Sequence, residues 1–336
     1  MSGAWRSAWR GLGILLLAAV PAATGADFSR PGADAGPTEV RVAISVLDLT
    51  GVNDTAQTIT ANVFIRVRWQ DPRLAENGAG QKTRNLNDVW HPRIQIFNDA
   101  GTRPTLPAEV EISPDGTVTQ RMRVVGAFSE VLRFEDFPFD TQTFSVRLVA
   151  TGFGADSVRL VADPEGFAAV NTQWAVSNWT LLDWGIGPGA ALVPAGAQVM
   201  EPASLALDLH MKRNTGYFLT KVILPLFLIV AMSWVVFWVA PEQAATKISV
   251  SITSMLTLIA NRFMVDALVP RVSYLTRLDL LILGATVLVF VNLILAVASS
   301  VLANQKQADR ARAIDSRCRV ALPVIFAGWA VWSLAF

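Results

Sequence analysis

The sequence predicts a β + α membrane protein: an immunoglobulin-like β-sandwich outside the bilayer, followed by a domain of four membrane-spanning helices. Three observations carry this. Between Pro37 and Arg213, apolar and polar residues alternate in short runs broken by Gly, Pro, Asn and Asp. After Arg213 the composition changes abruptly into four long apolar segments. The chain has room for both halves, at 336 residues with 52% hydrophobic and 16% charged residues.

At the N-terminus, Arg6 and Arg10 precede the apolar run Leu12 to Val20, and small residues lead to Ala26. That order predicts a secretory signal over residues 1–26; a signal anchor is the alternative, against which the run is short for a bilayer span. The β-domain then occupies 27–213. Val40, Val42, Ile44 and Val46 alternate with polar or small residues, as do Val63, Ile65, Val67 and Trp69. Turn punctuation recurs at Asp71-Pro72, Asp115-Gly116 and Gly152-Phe153-Gly154, and no long amphipathic helix interrupts it. Phe64 stands out as an aromatic on the polar face of its strand, beside Arg66.

The membrane domain, 214–336, has spans at about 217–240, 245–269, 278–303 and 319–336, each near the ~20 residues that cross a bilayer core. Lys306, Arg310, Arg312, Arg317 and Arg319 place the link between the last two spans in the cytoplasm. Four spans then return both chain ends to the outside, although Arg271 and Arg277 weaken the charge asymmetry. In the second span Ser249, Thr253, Leu256, Ala260, Phe263 and Ala267 step by four, three, four, three and four, so at ~100° per residue they share one face. Hydroxyls occupy its cytoplasmic half and apolar groups its outer half. Two readings stand: a water-filled pore with a hydrophobic constriction, or a helix packing seam. Lys247 and Arg262 point away from the strip, as anchors that snorkel or pair. Extending the helix back one heptad brings Glu242 onto the strip after Pro241, either as an ordinary helix-start residue or as a carboxylate at the cytoplasmic mouth.

Composition excludes other classes. A net charge of +1 argues against a nucleic-acid surface, and the one cysteine, Cys318, excludes an intrachain disulfide. His91 and His210 are far apart and next to no cysteine, so no His/Cys metal site is expected, while carboxylates and carbonyls leave calcium open. No cofactor is expected. Gly152-Phe153-Gly154 does not extend to a phosphate loop, and no nucleophile–His–acid set is visible, so the chain is not read as an enzyme. A membrane-anchored β-sandwich sensor without ion conduction is the alternative to a channel.

Specific residues carry a resemblance. Phe137-Pro138-Phe139-Asp140, with Leu132 and Phe134 ahead of it, resembles the signature loop of the Cys-loop receptors, the pentameric ligand-gated ion channels, in their prokaryotic branch. Glu130 and Phe144 stand where the eukaryotic members carry two cysteines. Trp69-x-Asp71-x-Arg73-Leu74 and Trp90-x-Pro92 followed by Asn98 are similar to β-domain motifs of the family, with Arg93 replacing a frequent acid. Arg213-Asn214 before Tyr217-Phe218, Pro225, Ser233-Trp234 through Phe237-Trp238, Pro270-Arg271-Val272-Ser273-Tyr274 and Arg317-Cys318-Arg319 resemble the membrane half.

The resemblance implies a homopentamer in a bacterial inner membrane, surrounded by lipid, with its N-terminal domain on the periplasmic side and a pore lined by the second helix. Leu256 and Phe263 would form the apolar closure. Glu242 and Asp266 favour monovalent cations, although Thr246 stands at the family's usual acidic position. Pro138, Asp140, Arg213, Pro270 and Arg271 are the implied coupling residues, together with the first-hairpin turn around Asp48 to Asp54; Arg213 is expected to pair with Asp140 or a neighbouring acid at the domain junction, either as part of the switch or as a plain structural ion pair. The implied agonist site lies between subunits, with Phe97 and Phe153 on one side and Phe64 and Arg66 on the other. Its capping hairpin, Gly185 to Pro202, has no aromatic residue, so an amine, a carboxylate, a proton or a divalent cation all remain open as agonist.

Overall fold

The computed structural model describes residues 28–76, 78, 80–165, 170, 174, 176–189, 191, 193–195, 198–267, 269 and 271–335. The expected signal segment, 1–26, lies outside the described residues. The strands are β1 (Thr38–Asn53), β2 (Thr58–Gln70), β3 (Lys82–Asn85), β4 (Ile94–Ile96), β5 (Arg103–Pro104), β6 (Glu109–Ile112) and β7 (Thr117–Ser129). They continue with β8 (Thr141–Gly154), β9 (Val158–Ala162), β10 (Trp179–Pro188), β11 (Val193–Ala195), β12 (Gln198–Met200) and β13 (Pro202–Arg213).

One sheet of the sandwich runs β3-β6-β7-β2-β1-β9, with β5 also on β7, the other runs β10-β13-β8-β4, and β11 and β12 pair in a separate two-stranded sheet. Neighbours are antiparallel except β1 and β9. The alternation read in β2 is the burial pattern: Val63, Ile65, Val67 and Trp69 are buried between the sheets, and Asn62, Phe64, Arg66 and Arg68 face the other way. Phe128, Phe134, Phe137, Phe144 and Trp179 extend that core down to the membrane end. The order, sandwich first and four apolar helices after, is the predicted one.

Among the described residues four helices are long and apolar enough to cross a membrane: α1 (Gly216–Trp238), α2 (Ala244–Asp266), α3 (Arg277–Asn304) and α4 (Ala308–Ala335). In α1 a π-helical turn, Leu219–Ile223, leads into Pro225, whose ring nitrogen has no hydrogen to donate. α3 opens on a reciprocal cap: Thr276 Oγ1 accepts from the Asp279 N–H at 3.1 Å, and Asp279 Oδ2 accepts from the Thr276 N–H at 3.0 Å. Further along α3, Gly284 leaves room for the Trp329 indole. A Cβ there would meet its ring at 1.9 Å, and the indole N–H donates to the Leu280 carbonyl at 3.0 Å.

Two boundaries differ from the expected ones. α4 starts at Ala308, well ahead of Arg319, because Ala311, Asp315 and Cys318 continue the buried seam of Leu322 and Phe326 while the arginines Arg310, Arg312, Arg317 and Arg319 occupy its other faces. A hydropathy reading sees only the apolar part. α2 starts at Ala244: Gln243, at φ −88° and ψ 58°, is outside helical geometry, so the backward extension to Glu242 fails. Glu242 sits in the preceding turn instead, exposed, with Oε1 3.5 Å from an Arg312 nitrogen.

Candidate functional site at the domain junction and the second helix

Arg213 ends β13 at the membrane face of the sandwich. Its Nε donates to Asp140 Oδ1 at 2.7 Å and Nη2 to Asp140 Oδ2 at 3.1 Å, while Nη1 and Nη2 reach Asp54 at 2.7 and 3.0 Å. The Arg213 and Asp140 side chains are 3% and 2% exposed. Burial alone would lower the Arg213 pKa, but the hydrogen bonds and charges of Asp54 and Asp140 outweigh it and raise the value. The guanidinium carbon also lies 4.3 Å from the Trp179 ring centroid, 4.9 Å from Phe137 and 5.9 Å from Phe218 of α1. One cation thus gathers the β1–β2 turn, the loop between β7 and β8, β13 and the first helix.

The same loop touches the segment before α3. Tyr274 Oη accepts from the Phe134 N–H at 2.9 Å, the Arg277 N–H donates to the Glu135 carbonyl at 3.0 Å, and Arg277 Nη2 lies 2.7 Å from Asp136 Oδ1. Tyr274 belongs to the loop motif that opens at Pro270, and Arg277 follows it at the start of α3. Pro270 lies outside the described residues, and Arg271 lines a small hollow with Asp266, Val272 and Asp279. The Thr276-x-x-Asp279 cap is the sequence signal that places Arg277 in a first helical turn, at the level of this loop. Pro138, after Phe137 in a cis peptide, holds the loop's turn.

Glu130 roots the loop at its other end and is 5% exposed. Its Oε1 accepts from Asn98 Nδ2 at 3.0 Å and the Ser145 N–H at 2.7 Å, and its Oε2 from Arg147 at 2.8 Å. Burial raises its pKa in spite of these donors, with Asp208 adding in the same direction.

On α2 the strip is the exposed face. Ser249, Thr253, Leu256, Ala260 and Phe263 are all exposed, Leu256 at 62% and Phe263 at 71%, and Ala267 follows as the C-cap residue. The seam that packs within the subunit is the opposite face, Lys247, Ser251, Ser254, Leu258, Asn261 and Val265, again spaced four and three. The strip is therefore not an internal packing surface of this bundle. Thr253 Oγ1 donates back to the Ser249 carbonyl at 2.8 Å, which leaves its oxygen lone pairs facing outward. Lys247 lies away from the strip, as expected, and of snorkelling and pairing it does the second, fully buried against Asp315.

The four expected agonist residues are apart within one subunit. Phe97 borders a cavity of about 810 Å³ with Arg159, Pro188, Gly189, Glu201 and Ser204. Phe153 packs edge-on to Trp90 at 5.7 Å, with the Arg93 guanidinium 6.0 Å from its ring centroid. Phe64 and Arg66 lie on β2 of the other sheet. Arg66 is already engaged, donating to Asp163 Oδ2 and the Glu165 carbonyl, both at 3.1 Å, while Arg68 holds Asp163 Oδ1 at 2.6 Å. Burial pushes Asp163 upward, but Arg68, the Glu165 N–H and Arg66 outweigh it and hold its carboxyl below the usual range.

A β-sandwich joined through a buried cation to four helices long and apolar enough to cross a membrane, one of them with an exposed hydroxyl-to-apolar strip, is the architecture of a multi-pass membrane protein. The chain belongs to the neurotransmitter-gated ion-channel family, within the Cys-loop superfamily of ligand-gated channels: residues 26–215 match the family's ligand binding domain and 222–325 its transmembrane region. It is similar to the proton-gated ion channel of Gloeobacter violaceus, 26% identical over 300 residues, covering 86% of this chain and 80% of that protein. It is also similar to the chicken (Gallus gallus) gamma-aminobutyric acid receptor subunit beta-4, 22% identical over 274 residues, covering 79% of this chain and 55% of that subunit. The family comprises channels, not enzymes.

Proposed function

We propose that five copies surround one axis in a bacterial inner membrane, with the β-domain on the periplasmic side, and that Ser249, Thr253, Leu256, Ala260, Phe263 and Ala267 of each line a ligand-gated pore. The observation that carries this is the exposure of the whole strip on a helix whose opposite face supplies the bundle's own packing. Five Leu256 and five Phe263 side chains on the axis exclude water and close the path. Hydroxyls at the cytoplasmic half ease dehydration of ions once it opens. Glu242 at the cytoplasmic mouth and Asp266 at the outer one favour monovalent cations, with Arg312 partly offsetting Glu242.

Opening starts in the β-domain, where a ligand binds the open arrangement better than the closed one. The agonist site lies between subunits, with Phe97 and Phe153 from one and Phe64 and Arg66 from the next. With Arg66 already holding Asp163, an agonist carboxylate has a weaker claim there, and protons are the favoured class. The Gloeobacter relative's name and the buried Glu130 carboxylate support that choice. Asp54, Asp140 and Arg213, with Tyr274 and Arg277, carry the change to the helices, together with Pro138, Pro270 and Arg271.

Single-channel recording of purified protein in a planar bilayer, with an acid step and a panel of amines and carboxylates, tests the function. Particle symmetry or native mass tests the assembly. Monomers or dimers under every lipid condition, or no current under any ligand, would overturn the channel reading and leave the membrane-anchored sensor.

A further inference from the structure

The four-helix bundle encloses a charged pair that the gate and the coupling contacts leave unused. Lys247 Nζ on α2 donates to Asp315 Oδ2 of α4 at 2.7 Å and to Ser299 Oγ of α3 at 3.2 Å, and lies 5.9 Å from the Phe237 ring centroid at the end of α1. Each of the other three helices thus supplies one partner to a single ammonium. The Lys247 and Asp315 side chains are 0% and 2% exposed.

We propose that Asp315 is a positioning residue for ion selectivity: it holds the Lys247 ammonium on the back of α2 and cancels its charge, so that permeant ions meet no positive ring near the cytoplasmic end of the pore. This rests on the pore reading of α2. Lys247 precedes Ser249 by two residues, which at ~100° per residue turns it to the far side of the helix from the strip. A rise of ~1.5 Å per residue leaves it only ~3 Å further along the axis than Ser249.

A helix is ~10–12 Å thick with its side chains, so five ammonium groups stand about that distance behind the pore wall. Salt screens buried charges poorly, and a narrow path with low-dielectric walls focuses their field. Left alone, five such charges would repel cations at the level of Ser249. With Asp315 in place each subunit contributes a dipole without net charge. Asp315 Oδ1 has no hydrogen-bond partner among the described residues, so this carboxylate is the counter-charge of one lysine and not the hub of a wider network.

The test is the K⁺ to Cl⁻ permeability ratio of the reconstituted full-length channel, from reversal potentials in a KCl gradient. Asp315→Asn leaves five unneutralised ammonium groups and should lower the ratio by about tenfold. Ser299→Asp adds a second carboxylate to the same ammonium and should raise it. The paired replacement Lys247→Met with Asp315→Leu removes both charges and should keep the parental ratio. A pair that only braces the bundle would cost yield and thermal stability in Asp315→Asn without moving the ratio of the channels that assemble.

Ratios within about twofold of the parent in both Asp315→Asn and Ser299→Asp overturn the proposal. If Asp315→Asn does not assemble, Ser299→Asp decides alone. An anion-selective parent removes the Glu242 reading but not this one, since the two single variants must still shift toward Cl⁻ and K⁺ respectively. A parent that passes no current removes the pore reading and this inference with it.

Discussion

Removing the Arg213 guanidinium tests the junction directly. Arg213→Gln leaves the Asp140 carboxylate, 2% exposed, beside Asp54 with no cation between them. Breaking a buried pair in this way costs ~3–5 kcal/mol. Arg213→Lys keeps the charge but not the planar fork, and should cost about 1.5–3 kcal/mol, the worth of one charge-assisted bond. Asp54→Asn should cost least, about 1–2 kcal/mol, because the Asp54 side chain is 18% exposed and Arg213 keeps Asp140.

At roughly 2–4 °C per kcal/mol for a domain of this size, Arg213→Gln lowers the melting temperature of the β-domain by roughly 6–20 °C. Circular dichroism of the purified protein reads that shift, and concentration–response curves at surface-expressed channels read the coupling. The expected order of loss is Arg213→Gln, then Arg213→Lys, then Asp54→Asn. An Arg213→Lys variant as damaged as Arg213→Gln, or an Asp54→Asn loss larger than that of Asp140→Asn, would refute the assignment of the guanidinium fork and of Asp140 as its principal partner.

Leu256→Ser or Phe263→Ala should raise resting current or ligand sensitivity by weakening the apolar closure, as measured in voltage-clamped cells with surface expression matched. Glu242→Gln should lower cation conductance at low salt, and the effect should fade near 1 M, where the Debye length is ~3 Å; Arg312→Gln should act in the opposite direction. Lys247→Gln is not a neutral control for Glu242, because it strips the buried Asp315 of its partner. Glu130 gives a pH signature: its folded-state pKa is raised above the ordinary 4.5, so folding favours the protonated form. β-domain stability should therefore rise as pH falls through the folded value toward 4.5, even as the Glu130–Arg147 pair is lost, and Glu130→Gln should flatten that window in thermal melts.

The sequence carried the sandwich and the helices because each has a local period. Val63 to Trp69 alternates with period two, and the α2 strip and its buried seam are both spaced four and three. Nothing local fixes the start of α2, which depends on the backbone angles of Gln243, so Glu242 was placed on a helix that does not reach it. The same limit applies to contacts between distant segments. Arg66 reads as an outward-facing cation on β2, but its engagement by Asp163 comes from beyond β9. Tyr274 reads as part of a loop motif, but its partner, the Phe134 N–H, stands 140 residues away. Arg213 is the exception, since the resemblance supplied its long-range partner and the structure adds Asp54. The charged first turns of α4 hid a helix because hydropathy averages over faces that burial keeps separate.

The notch at Gly284 has a consequence for how the bilayer acts on this protein. α4 is, with α2, the least buried of the four helices, yet it is clamped at two heights. Near one end the Trp329 indole is seated in the Gly284 notch and Arg277 donates to the Leu334 carbonyl at 3.0 Å; near the other, Asp315 grips Lys247. A helix held at a single level can rock while its neighbours stand still. One fastened at two levels cannot change its tilt without shearing α3 at one level and α2 at the other, so a stretched or thickened bilayer acting on α4 would deliver torque to α2 and α3 and not slack to α4 alone.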